Sequence, residues 1–66
     1  MKEKIRVLIA DDHALLREAM RNLLDRQDDI EVVGEASDGE EAVRLSAKAK
    51  PDIAIMDIVK IGRAHV

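Results

Sequence analysis

Three short apolar runs, separated by two segments of helical period, restrict this chain more than any other feature. Ile5-Arg6-Val7-Leu8-Ile9-Ala10 is rich in β-branched residues and almost continuously apolar, the pattern of a strand covered on both faces. It stops at Asp11-Asp12. From Ala14 the period changes. Leu16, Met20, Leu23 and Leu24 fall on one helical face, with Arg17, Glu18, Arg21 and Asn22 opposite. This predicts an amphipathic helix to about Arg26 whose charged side is solvated surface. Asp12 suits its N-cap or first turn.

Gln27-Asp28-Asp29 reads as a turn, and Ile30 to Ala36 as a second strand, with Glu31 and Glu35 marking it as edge-like. Ser37, followed three residues on by Glu40, forms a capping-box pattern for a second helix to about Lys48. Ala42, Leu45 and Ala49 share one face of that helix. Pro51 ends it and pushes Lys50 toward extended geometry. Ile53-Ala54-Ile55-Met56, apolar throughout and closing on Asp57, predicts a fully buried third strand, with Met20 and Met56 as core filler.

The order β-α-β-α-β with short connections predicts an α/β fold with a parallel sheet. Right-handed crossovers, with the second passing over the first strand, give the order 2-1-3 and helices on opposite faces, the flavodoxin-like arrangement. A dinucleotide-binding half fits poorly, because the first strand-to-helix turn, Asp11-Asp12-His13, has no glycine to admit a pyrophosphate.

In the 2-1-3 order the C-terminal ends of the first and third strands meet at the switch point where ligands bind. Asp11, Asp12 and Asp57 should therefore converge. Clustered carboxylates repel and raise one another's pKa unless a cation intervenes. Mg²⁺ answers that need, since it takes one or two carboxylates, keeps waters and accepts phosphate oxygens. Adjacent aspartates before a helix are also ordinary capping and first-turn residues, and Asp57 alone would be a plain strand-end residue. The predicted convergence favours the metal reading. His13 reads as an exposed first-turn residue rather than a ligand.

Composition narrows the remaining classes. The 66 residues contain no Phe, Tyr, Trp or Cys. The absence of cysteine excludes a disulfide framework and thiolate zinc, and suits a reducing cytoplasm. A formal charge of −3 argues against direct nucleic-acid contact by this segment. No stretch approaches the length of a signal-peptide core or a membrane span.

Val7-Leu8-Ile9-Ala10-Asp11-Asp12-His13, Val32-Val33-Gly34-Glu35-Ala36, Asp38-Gly39-Glu40-Glu41-Ala42 and Pro51 to Asp57 together resemble receiver domains of two-component response regulators. The first two strings are most similar to the subgroup with a LuxR-type helix-turn-helix output domain. The likeness runs from Ile5 to about Val59 and corresponds to three of that fold's five strands. It implies that Asp57 accepts a phosphoryl group from a sensor histidine kinase. It also implies that Asp11, Asp12 and Asp57 hold Mg²⁺, with Asp12 the more direct ligand, Asp11 acting partly through water, and the backbone carbonyl of Val59 as a further ligand. DNA would be reached through an output domain, and the intact parent could dimerise. The receiver itself would be a switch more than an enzyme, and the first helix would contribute to the kinase contact.

Residues 1–59 are accordingly the N-terminal part of a receiver. Lys60-Ile61-Gly62-Arg63-Ala64-His65-Val66 departs from the family pattern. Ile61 to Val66 can be encoded by the start of a common sequencing adapter, so residues 60–66 are expected to be non-native. Three alternatives remain: an interaction module that is never phosphorylated, an inactive truncated product, and a phosphatase with a nucleophilic aspartate. The last normally carries Asp-x-Asp after its first strand, whereas here the acids are contiguous. The 66 residues alone are expected to leave the third strand as an exposed edge and to be poorly stable.

Overall fold

Val7 to Asp11 are all buried at the centre of a three-stranded sheet, within the strand Ile5–Asp11 (β1). The computed structural model describes residues 3–57. Next come the helix Ala14–Asp25 (α1), the strand Ile30–Ala36 (β2), the helix Gly39–Ala49 (α2) and the strand Ile53–Asp57 (β3). The strands are parallel in the order β2-β1-β3. This is the order expected from right-handed crossovers. Central β1 has a strand on each side and helices packed upon it, which is why its run is almost wholly apolar.

Alternation along β1 divides the core. Leu8 and Ala10 join Ala36 and Ala42 in one buried cluster, with Leu45 of α2 packed against it. Full burial of a leucine such as Leu8 contributes about 1.5–3 kcal/mol. Val7, Ile9 and Asp11 alternate with these residues and so face the opposite side, toward α1.

The register between β1 and β2 is not regular. Val7 pairs with Val32, but Leu8 pairs with Gly34, so Val33 is an extra residue in a bulge. From there on, Glu35 pairs with Ile9 and faces α1, while Gly34 lies beneath α2. Gly34 fits because a Cβ there would stand 3.0 Å from Leu8 Cδ1 and 3.8 Å from Leu45 Cδ1. At the start of β3, Asp52 holds Arg6 of β1 twice. The Arg6 amide donates to Asp52 Oδ2 (2.9 Å), and the Asp52 amide donates to the Arg6 carbonyl (2.8 Å).

Several local expectations need correction. The N-cap of α2 is Asp38, whose Oδ1 accepts from the Glu41 amide at 2.8 Å. Glu41, not Glu40, reaches back, accepting from the Ser37 amide (2.9 Å) and hydroxyl (3.0 Å). The reciprocal cap is thus shifted one residue, because Asp38 already has the extended backbone a cap needs. Lys50 is left-handed (φ 49°, ψ 62°) rather than extended, since its amide still completes a bond to the Ser46 carbonyl before Pro51. The N-cap of α1 is His13, not Asp12, and its side chain makes no capping bond.

β3 differs most from expectation. Ile53 and Met56 are 50% and 54% exposed, and only Ile55 of the strand is half-buried. Both helices pack on β1 and β2, and β3 has β1 on one side and no second strand among the described residues. Its apolar run suits burial that these elements do not provide. The apolar stripe of α1 is likewise only partly covered: Met20 and Leu24 are half-buried, whereas Leu16 and Leu23 are exposed.

Candidate functional site

The parallel pairing of β1 with β3 ends on Asp11 opposite Asp57. Residues separated by 46 positions in sequence are thereby cross-strand neighbours on one face of the sheet. Asp12 follows directly, in the turn before α1. The expected meeting of the two strand ends is therefore present in the backbone.

The side chains are arranged unequally. Asp11 is fully buried, Asp12 is 29% exposed, and Asp57 is exposed. Oδ1 of Asp11 accepts from the His13 amide at 2.8 Å and lies 3.3 Å from His13 Nδ1. That turn, closed by an aspartate side chain two residues back, delays the helix to His13. Oδ2 of Asp11 is buried without a hydrogen-bond partner among the described residues. A buried carboxylate oxygen left unpaired is costly unless a cation or donor meets it. An arrangement of oxygen donors with one oxygen left over fits a hard divalent ion.

Among the described residues, Asp11, Asp12 and His13 bring their ligand atoms within 4.8 Å of one another. His13 falls within this group, and its side chain is 68% exposed, as expected of a first-turn residue. Its Nδ1 stands 3.1 Å from Asp12 Oδ1. Asp57 borders this group through its pairing with Asp11 but is not one of the three. Val59, the remaining expected ligand, lies outside the described residues, as does the 60–66 segment.

The helical period places Arg17 on a solvated face, yet its side chain is only 20% exposed. Its Nη1 donates to the backbone carbonyl of Asp11 at 2.7 Å, and its Nε donates to Glu35 Oε1 at 3.3 Å. Arg21 Nη1 adds a 2.8 Å bond to Glu35 Oε2. One planar guanidinium therefore bridges the end of β1, the first helix and β2. The signal in the sequence is the i, i+4 pair Arg17/Arg21 beside a strand glutamate. It becomes legible only once the Val33 bulge has turned Glu35 toward α1.

The comparisons agree with this architecture. The family model described as the response regulator receiver domain matches residues 7–60. The transcriptional regulatory protein LiaR of Bacillus subtilis is 52% identical over 58 residues, covering 88% of this chain and 28% of LiaR. A protein-glutamate methylesterase/protein-glutamine glutaminase of Caldanaerobacter subterraneus is 43% identical over 58 residues, covering 88% of this chain and 16% of that protein. The crystal structure of the response regulator domain of Thermotoga maritima CheB superposes with a TM-score of 0.77 at 44% identity, over 79% of this chain and 39% of that one. The chain thus spans between a sixth and two fifths of these relatives. With the strand order, the paired aspartates and a match over most of its length, the chain belongs to the response regulator receiver domain family.

Proposed function

We propose that this chain is the receiver segment of a longer response regulator, phosphorylated on Asp57 by a sensor histidine kinase in the cytoplasm. The observation that carries the reading is the Asp11–Asp57 pairing beside a buried, unpartnered Asp11 oxygen. In the transfer, a carboxylate oxygen of Asp57 attacks the phosphorus of a phosphohistidine. A P–O bond forms as the P–N bond breaks, and the imidazole departs with the electron pair and takes up a proton. The exposure of Asp57 suits it to receive a donor carried on another protein.

Asp12, Asp57 and the backbone carbonyl of Val59 would hold Mg²⁺, with Asp11 contributing through water. When bound, the ion neutralises charge on the phosphoryl oxygens and on the clustered acids. Arg17 keeps the Asp11 peptide in place from behind, so the acids need not reorganise as charge arrives.

Incubation of the regulator with a small phosphodonor and Mg²⁺ tests the reading. Labelling should be lost in Asp57→Asn and should require the divalent ion. Undiminished labelling of that variant would move the acceptor elsewhere. A protein indifferent both to Mg²⁺ and to Asp57→Asn would instead be an interaction module.

The output we propose is transcriptional control through a DNA-binding domain, because relatives such as LiaR and DegU of Brevibacillus brevis are transcriptional regulatory proteins. A methylesterase output is the second reading, favoured by the CheB and methylesterase likenesses. Residues 1–59 form the receiver portion in this proposal, and 60–66 are non-native. Resequencing the locus from genomic DNA decides both points, and clean reads through this tail to a natural stop would refute the second.

A further inference from the structure

Asp11, Asp12 and His13 present three ligand atoms from three consecutive residues, and one of the three is a nitrogen. His13 Nδ1 stands 3.1 Å from Asp12 Oδ1 and 3.3 Å from Asp11 Oδ1. Ligands bound to one small divalent ion at about 2.0–2.1 Å lie about 3.0–3.4 Å apart in octahedral or tetrahedral geometry. The observed separations already match such edges. A direct N–H···O bond has similar lengths, but it would serve only Asp12 Oδ1 or Asp11 Oδ1, the latter already met by the His13 amide. The oxygen that lacks a partner is Oδ2 of the same fully buried carboxylate. A hydrogen bond from His13 to Oδ1 leaves that deficit untouched, whereas a cation at the carboxylate relieves it.

We propose that His13 makes this site selective for imidazole-binding first-row divalent ions such as Zn²⁺, with Nδ1 as a ligand beside the Asp11 and Asp12 carboxylates. Oxygen-only sets suit Mg²⁺, while an added imidazole favours zinc and its neighbours. The Nδ1 lone pair is available on the neutral ring, and Nε2 keeps the proton. Because Asp12 is shared with the Mg²⁺ site proposed above, Zn²⁺ would compete for the centre on which phosphorylation depends. The inference rests on that reading of the acidic site.

The test is isothermal titration of the full regulator with Zn²⁺ and separately with Mg²⁺, at a pH of about 8, where imidazole is neutral. His13→Gln should lower the Zn²⁺/Mg²⁺ affinity ratio by at least about tenfold, since losing a ligand costs no less than losing an outer-shell partner. Zn²⁺, but not Mg²⁺, should shift the ¹⁵N resonance of His13 Nδ1 in the unsubstituted site. Asp12→Asn should weaken both ions together. An unchanged ratio in His13→Gln, or an unmoved Nδ1 resonance, overturns the role of His13 while leaving the Mg²⁺ site standing. If Asp12→Asn affects neither ion, both the acidic-site reading and this inference fall.

Discussion

Asp11 and Asp57 are the last paired residues of the β1–β3 ladder, but one carboxylate is fully buried and the other exposed. The buried partner carries the energetic liability, because its Oδ2 has no hydrogen bond among the described residues. Replacing Asp11 by Asn removes the charge and keeps an oxygen for the His13 amide. An unsatisfied buried polar atom costs about 1–3 kcal/mol, and more if charged. The Asn Nδ2 stays buried and unpartnered, so only the charge is relieved, and Asp11→Asn should raise stability in chelator by less than about 1 kcal/mol. It should also lose most of the stabilisation that Mg²⁺ gives the parent. Chemical denaturation with and without Mg²⁺ reads both effects. A variant less stable than the parent in chelator would show that the carboxylate is not strained.

The Arg17 bridge predicts an asymmetry between two arginines on one helix. Arg17 is largely buried and holds both the Asp11 carbonyl and Glu35, whereas Arg21 is 53% exposed and holds Glu35 and Asp25. Hydrogen bonds from charged groups contribute about 1.5–3 kcal/mol when sheltered, and exposed ion pairs about 0–1 kcal/mol. Arg17→Met should cost about 1–2 kcal/mol after discounting for its residual exposure, and Arg21→Met less than about 0.5 kcal/mol. Equal losses in urea melts would mean that the carbonyl contact contributes nothing.

Gly34 should resist even the smallest side chain. Its added Cβ would stand 3.0 Å from Leu8 Cδ1, and Leu8 is fully buried with little room to yield. Gly34→Ala should destabilise by about 1–3 kcal/mol through overpacking, despite reducing unfolded-chain entropy. A neutral or stabilising effect would show that the Val33 bulge relaxes readily.

Acid should loosen α2 at its N-terminus. The hydrogen bonds from the Ser37 amide and hydroxyl hold the Glu41 carboxyl below the ordinary glutamate range. A group whose pKa is lower in the folded state stabilises fully above its unfolded value, and that stability is lost as pH falls through the folded value. Amide exchange at Ser37 and in the first turn of α2 should therefore quicken as acid protonates Glu41. Glu41→Gln should remove that dependence. The same acid response in the variant would place its origin elsewhere.

Element order, strand order and the meeting of Asp11 with Asp57 were legible because hydrophobic period and crossover handedness are strong, largely local rules. The Val33 bulge was not. Nothing distinguishes Val32 from Val33 in a β-branched run, and the signal lies in Gly34, whose role depends on Leu8 and Leu45 across the sheet. Once that extra residue is missed, Glu35 is assigned to solvent and Arg17 to the outer face of α1. His13 is exposed, as its first-turn position predicts, and the Asp11 turn sets its Nδ1 beside both acids. The bulge and the Arg17 contacts share one cause: each depends on where a neighbour in space turns a side chain, which the sequence period does not encode.

β3 is the most exposed of the three strands. Ile53 and Met56 are about half exposed, and the strand is paired on one side only among the described residues. On α1, Leu15 and Leu23 are 80% and 60% exposed, so apolar area remains in water on the helix as well. An exposed, apolar, unpaired edge is a template for intermolecular pairing. Ordering each residue costs about 1–2 kcal/mol of conformational entropy, and a sheet with one bare strand recovers little of it there. The isolated 66-residue polypeptide should therefore melt without a sharp transition by circular dichroism and self-associate as its concentration rises in sedimentation. Ile53→Lys should reduce that association without restoring a cooperative melt, because it blunts the edge but supplies no cover. A concentration-independent, two-state melt from a monomer would show that β1 and its two helices suffice to hold β3.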